Sequence, residues 1–170
     1  MAAPKFLQAI AGIISTVTAA VVGGAGSANQ LVATNSAGLL DISFMPAGIG
    51  ADVVTATASE ALSAGALVNL WNNSGVLGAR NADSSSASGG KKVSGFVLAA
   101  VASGGTASVY RSGQNSALTG LTPGTDYWLG TAGAATTTPD TASGHTTQFV
   151  GTATAAGVLD VQPGAPIGNA

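Results

Sequence analysis

Cysteine is absent, histidine occurs once and charge is scarce. Without cysteine there are no disulfides and no thiolate metal ligands, and the redox compartment is left unspecified. Any base-dependent chemistry has a single histidine candidate, His145. Asp, Glu, Lys and Arg together make up 7% of the 170 residues, against about 25% in an ordinary soluble domain. The net charge is −2, and Lys91-Lys92 is the one basic pair. Both facts argue against a nucleic-acid partner, because no basic stripe exists to release counterions from phosphate. Sustained helical periodicity is also missing from every segment.

What fills the chain instead is small and neutral. Hydrophobic residues reach 46%, much of it alanine, glycine accounts for 25 residues, and serine and threonine are abundant. A surface of Ala, Gly, Ser and Thr lacks the repulsion that keeps monomers apart. It suits burial against copies of the chain or against another protein. The length fits one ordinary domain, or a smaller domain plus an arm.

Apolar runs of strand length alternate with turn chemistry, most densely over residues 93–139. There Ser103-Gly104-Gly105, Thr122-Pro123-Gly124 and Ala132-Gly133 are each short enough to join antiparallel neighbours. Val97, Val101, Val109, Tyr110, Tyr127 and Trp128 suit a pleated, half-buried surface. The pattern predicts an antiparallel meander onto which the other segments pack. Upstream, strands are expected at Asp52–Thr57, Ala66–Trp71 and Val76–Asn81, the last two joined by a turn at Asn72-Asn73-Ser74-Gly75. Residues 83–92, rich in Ser and Gly, read as a flexible exposed loop, and 139–146 as a second polar loop. Gln148–Thr154 and Val158–Gln162 form a hairpin around Ala155-Ala156-Gly157. The expected fold is mainly β, a small antiparallel barrel or sandwich with an extended N-terminal arm. Its parts are an arm and short hairpin over 1–50, a β-domain over 51–162 and an irregular tail over 163–170.

Lys5 followed by the apolar run Phe6–Val22 has the shape of a secretory signal, and approaches the length of a membrane span. Gln8, Ser15, Thr16 and Thr18 interrupt it, and no leucine-rich block is present, so no membrane partner is expected. An apolar arm of this kind calls for burial against a partner chain. Residues 29–50 offer a short strand, Leu31–Thr34, a turn at Asn35–Gly38 and an extended Leu39–Ile42, ended by Met45-Pro46. So short a hairpin cannot bury its own apolar face.

Catalytic and ligand-binding patterns find little here. His145 sits in T-A-S-G-H-T-T with Asp140 nearby. It could serve a serine nucleophile as a base, but no G-x-S-x-G elbow accompanies it, and an exposed loop histidine is the plainer reading. The seven acidic residues are scattered, with no paired-carboxylate spacing and no calcium-loop run. Tyr127-Trp128 could stack on a sugar, although strand alternation places one ring in the core and the other on the opposite face. Gly23-Gly24-Ala25-Gly26 lacks the Gly-Lys-Ser/Thr of a phosphate loop and reads as linker.

Four stretches resemble bacteriophage capsid decoration (cement) proteins: S-A-N-Q-L-V-A-T-N-S-A-G-L-L-D-I-S-F-M-P-A-G-I-G-A-D (27–52), A-S-E-A-L-S-A-G-A-L-V-N-L (58–70), G-F-V-L-A-A-V-A-S-G-G-T-A-S-V-Y (95–110) and A-L-T-G-L-T-P-G-T-D-Y-W-L-G-T-A-G (117–133). Similar phrases occur in phage head-fibre and tail-fibre subunits. The resemblance implies a virion protein on the outer surface of the capsid, usually a homotrimer, clamping the major capsid protein through an extended arm and having no enzyme activity. No cofactor is expected. The alternative is a receptor-binding module of a head or tail fibre. Tail fibres are generally longer and carry coiled-coil or β-helical shafts, which this chain lacks. On the capsid reading, the arm binds through Phe6, Leu7, Ile10, Ile13, Ile14, Val17, Val21 and Val22. Subunits meet through Leu31, Val32, Leu39, Leu40, Ile42 and Met45.

Overall fold

The computed structural model describes residues 5–10, 13–21, 23, 31–34, 38, 40, 44, 52–85 and 91–170. The chain divides into two compact units, residues 1–50 and 51–170. Among the described residues there are fourteen strands and no α-helix, so the fold is mainly β, as the turn spacing predicts.

In the first unit, strands β1 (Lys5–Ile10) and β2 (Ile13–Thr18) pair antiparallel from Lys5↔Thr18 to Ile10↔Ile13. The apolar run is thus a hairpin and not one extended arm. Its β-branched content, with Ile13, Ile14, Thr16, Val17 and Thr18 in one strand, favours pairing. Ala20 and Val32 form a parallel bridge, and the backbone of Ala20 bonds both Leu31 and Ala33. The short hairpin expected over 29–50 lies largely outside the described residues.

The second unit opens with a closed barrel in the order β3-β5-β4-β6-β7, built from Val53–Ala58, Val76–Asn81, Leu67–Asn73, Gly95–Phe96 and Thr106–Tyr110. Every pairing is antiparallel except β3–β5. The β4–β5 connection is the expected turn, with Ser74 and Gly75 both at positive φ (54° and 89°), the pattern that matches the twist of a two-residue hairpin. A second sheet runs β10-β9-β12-β13-β8, from Ala135–Thr136, Asp126–Leu129, Phe149–Ala155, Val158–Val161 and Gly113–Asn115. The β12–β13 hairpin falls where the sequence places it.

Two cores result, and β4 and the segment around β6 serve both. In the barrel, Ala56, Ala58, Ala79 and Ala107 pack with Leu62, Val68, Val97 and Val109. Alanine is the size that five strands can enclose, as small barrels are filled by their own side chains. On the far side of β4 and β6, Leu67 and Phe96 turn outward to meet Leu129, Val150, Leu159 and Val161 of the second sheet. The neighbouring pairs Leu67/Val68 and Phe96/Val97 therefore face opposite cores, as side chains two-fold about a strand must.

Residues 93–139 are not a meander. β6 and β7 share one pair, Phe96↔Tyr110, while the segment after β6 bonds back to the 62–66 loop through Val97 and Val101. β8 leaves for the second sheet beside β13, and β9 lies beside β12. Of the three turns, only Ala132-Gly133 joins hydrogen-bonded strand neighbours, β9 and β10. Short strands with few local bonds were captured by distant partners that bury more apolar surface. The tail is not irregular either: β14 (Ile167–Gly168) pairs with β11 (Thr146–Thr147).

Candidate interaction surfaces

The arm residues named from the sequence fall on the β1–β2 hairpin and just beyond it. Leu7, Ile13 and Ile14 are 76%, 71% and 72% exposed, whereas Val21 is half-buried at a bend. Phe6, Ile10 and Val17 belong to the same two strands; Val22 lies outside the described residues. Of the expected subunit contacts, Leu31, Val32 and Leu40 are exposed, while Leu39, Ile42 and Met45 lie outside the described residues. Charge on the described hairpin is confined to Lys5.

A second candidate surface lies on the barrel. β3 alternates, with Thr55 and Thr57 outside and Ala56 and Ala58 inside. β3 and β5 pair only at Thr57↔Gly78 and Ala58↔Ala79, so Val76 and Leu77 remain open, at 58% and 43% exposure. The shallow cleft at this seam, about 190 Å³, is lined by Thr55, Ala56, Thr57, Val76, Leu77 and Thr106. Thr106 also borders a larger cleft of about 440 Å³, formed by residues 97–102 together with Gly105, Ser108 and Tyr110. No charged side chain lines either cleft. The signal for this face was in the sequence, in the alternation V-V-T-A-T-A and T-A-S-V-Y, which puts hydroxyls rather than charges on the solvent side.

His145 has a structural task. Its Nδ1–H donates to Asp140 Oδ2 at 2.8 Å, so the ring is partly buried and paired, not free in the loop. The Asp140 carbonyl accepts from Asn169 Nδ2 at 2.8 Å and from the Thr147 hydroxyl. The Asn169 N–H donates to the His145 carbonyl, and the Gly144 N–H to the Asn169 carbonyl. Loop 139–146 thus staples the C-terminal strand. The Ser84 hydroxyl is near the Asp140 carboxylate but is buried without a well-aligned partner, and no serine hydroxyl bonds the imidazole among the described residues.

The hydrogen bond from His145, with further help from Ser84 and the Ala142 N–H, holds the Asp140 carboxyl below the usual carboxylate range. A carboxyl depressed in the folded state stabilises above its unfolded pKa, and that contribution is lost as pH falls through the folded value. The C-terminal staple should therefore loosen in acid. The protection factor of the Asn169 amide, taken relative to the intrinsic exchange rate at each pH, should fall between pH 7 and pH 3 more in the parent than in Asp140→Asn, which has no such carboxylate to lose; an equal fall in both would contradict this.

The 83–92 loop is anchored at both ends. Asp83 and Lys91 form an antiparallel bridge, and Ser84 is buried; residues 86–90 lie outside the described residues. Burial pushes the Asp83 carboxyl up. The Ser85 hydroxyl and N–H, the Ala132 N–H and the charge of Lys91 outweigh it, and the net shift is downward. Tyr127 and Trp128 take opposite faces, as alternation requires. Tyr127 is buried with its hydroxyl accepting from the Thr122 N–H at 3.0 Å, and Trp128 packs edge-on against Phe149. Among the described residues no group of three or more His, Asp or Glu could hold a metal, and no helix is long and apolar enough to cross a membrane.

No protein-family model matches the chain, and no curated protein does. Among solved structures it is similar to the N base of the head fibre gp8.5 of bacteriophage phi29, with a TM-score of 0.46 and 16% identity over 65% of this chain and 87% of that one.

Proposed function

We propose that the chain is a non-enzymatic structural protein of a phage virion, seated on the outer surface of the capsid. Residues 1–28 act as a clamp on the major capsid protein. The observation that carries this reading is the hairpin: Leu7, Ile13 and Ile14 stand more than two-thirds exposed on a two-stranded ribbon, which is at best marginally stable alone in water. Burying side chains of this size contributes roughly 1.5–3 kcal/mol each before ordering costs. The quoted decoration-protein phrases support the same assignment, as does a chain in which only 7% of residues are charged. The charge-free barrel face, with 29–50, supplies the contact between subunits of a homotrimer, in which three clamps act together.

Deleting residues 1–28 is expected to leave residues 51–170 folded, by circular dichroism, and unable to decorate shells in a sedimentation assay. Saturation of shells with unchanged affinity would end the clamp mechanism. A stable monomer by light scattering at micromolar concentration would end the trimer. Because the same phrases occur in fibre subunits, the second reading is a head- or tail-fibre module; glycan binding abolished by Trp128→Ala would favour it, and fractionation with tails instead of shells would favour its tail-fibre form.

A further inference from the structure

The chain has five cationic side chains, and two of those in the β-domain are occupied. The Arg80 guanidinium stacks on Trp71 at 4.5 Å and its Nε donates to Asn69 Oδ1. Lys91 faces Asp83. Lys92 and Arg111 instead line one cleft of about 290 Å³, with Ser94, Gln148 and the Pro163–Pro166 segment around it, and no acidic residue lines it. In so charge-poor a chain, two cations converging on one concavity mark it out from the neutral clefts on the barrel.

The cleft is also built. Gln148 is 2% exposed, and its Oε1 accepts from the Val93 N–H at 2.7 Å while its Nε2 donates to the Val93 and Gly164 carbonyls. One buried amide therefore fixes the two walls relative to each other. The Lys92 carbonyl is held by Asn69 Nδ2 at 2.9 Å. The Ser94 hydroxyl accepts from the Leu70 N–H, which leaves its own proton to donate. No salt bridge holds the Lys92 ammonium among the described residues. Arg111 meets Asp52 only through Nε at 3.6 Å, both side chains being more than half exposed, so most of the five guanidinium donors stay free.

We infer that this cleft binds a carboxylate, held by Lys92, Arg111 and the Ser94 hydroxyl. The two cations supply charge-assisted bonds and the guanidinium the fork that fits a carboxylate. The carboxylate could belong to an acidic sugar or to an acidic side chain of a partner protein. The inference stands on the cleft alone and goes beyond the capsid reading.

The test follows backbone amide shifts of the full chain on titration with glucuronate, with an N-acetylated triglutamate amide and with neutral methyl glucoside. Saturable shifts are expected at Lys92, Ser94, Arg111 and Gly164 with the carboxylates only. The affinity should fall as sodium chloride is raised, and by about tenfold in Lys92→Ala and in Arg111→Ala. Tighter binding of glucuronate identifies a sugar acid as the natural ligand type, and tighter binding of the peptide an acidic protein segment. No saturable shift with either carboxylate overturns the inference. So do equal binding of methyl glucoside, and unchanged affinity in the double variant with a native circular dichroism spectrum.

Discussion

Phe96→Ala is expected to lower the unfolding free energy of residues 51–170 by about 3–5 kcal/mol, the range for emptying a buried aromatic site. Phe96 is 1% exposed and its ring stacks on Tyr110 with centroids 5.5 Å apart. It belongs to a strand of two residues, so the backbone has few local bonds with which to hold its place once the ring is gone. The ring also bridges barrel and second sheet, packing in the cluster that contains Leu129, Leu159 and Val161. Domains of this size are stable by roughly 5–15 kcal/mol, so the loss is a large share of the total. Urea unfolding followed by tryptophan fluorescence measures it; a change below about 1 kcal/mol would mean that the two layers do not depend on this contact.

Gly151→Ala is expected to destabilise by more than the usual range of about 1–3 kcal/mol for overpacking. Gly151 lies in β12 between Val161 on one side and Tyr127 on the other. A Cβ there would sit 2.0 Å from the Asp160 carbonyl oxygen and 2.9 Å from its carbon. These are backbone atoms of the paired strand, so no rotamer change relieves the clash. β13 must move away, and with it Leu159 and Val161, both fully buried. Gly168 is the control: it has open space around it and no positive φ, so Gly168→Ala should change the thermal midpoint little. Similar midpoints for the two variants would overturn the argument.

Several strands of the second unit were legible in the sequence, whereas their pairing, the N-terminal hairpin and the β11–β14 pair were not. Val53–Ala58, Leu67–Asn73 and Val76–Asn81 follow from β-branched runs and from Asn-Ser-Gly turn chemistry, and the β12–β13 hairpin from Ala-Ala-Gly. These signals are local. What decided the topology was which distant strand each short segment could bury against. Gly95 shows why: a Cβ there would fall 2.3 Å from the Tyr110 carbonyl oxygen, so the glycine permits a close strand crossing that a turn-by-turn reading treats as an ordinary residue. The C-terminal staple was invisible for a similar reason, since the Asp140–Asn169 bond depends on a partner far along the chain. The Lys92–Arg111 cleft was missed because its two cations come from separate loops and share no motif; the scarcity of charge elsewhere was the one available clue.

Barrel closure has a kinetic consequence. The first barrel strand pairs with the last, Val53 with Tyr110, so the ring cannot shut until every intervening strand has left the ribosome. Non-local closure of this kind slows folding, because loop entropy is lost before the contacts that offset it form. The β4–β5 hairpin can form early, but the outward faces of Leu67 and Phe96 stay wet until Leu159 and Val161 arrive. Throughout that wait residues 5–18 have already left the ribosome, and Leu7, Ile13 and Ile14 are open to solvent even in the folded chain. Expression yield should accordingly depend on those three side chains: replacing Leu7, Ile13 and Ile14 by threonine should raise the soluble fraction without altering the midpoint of the β-domain.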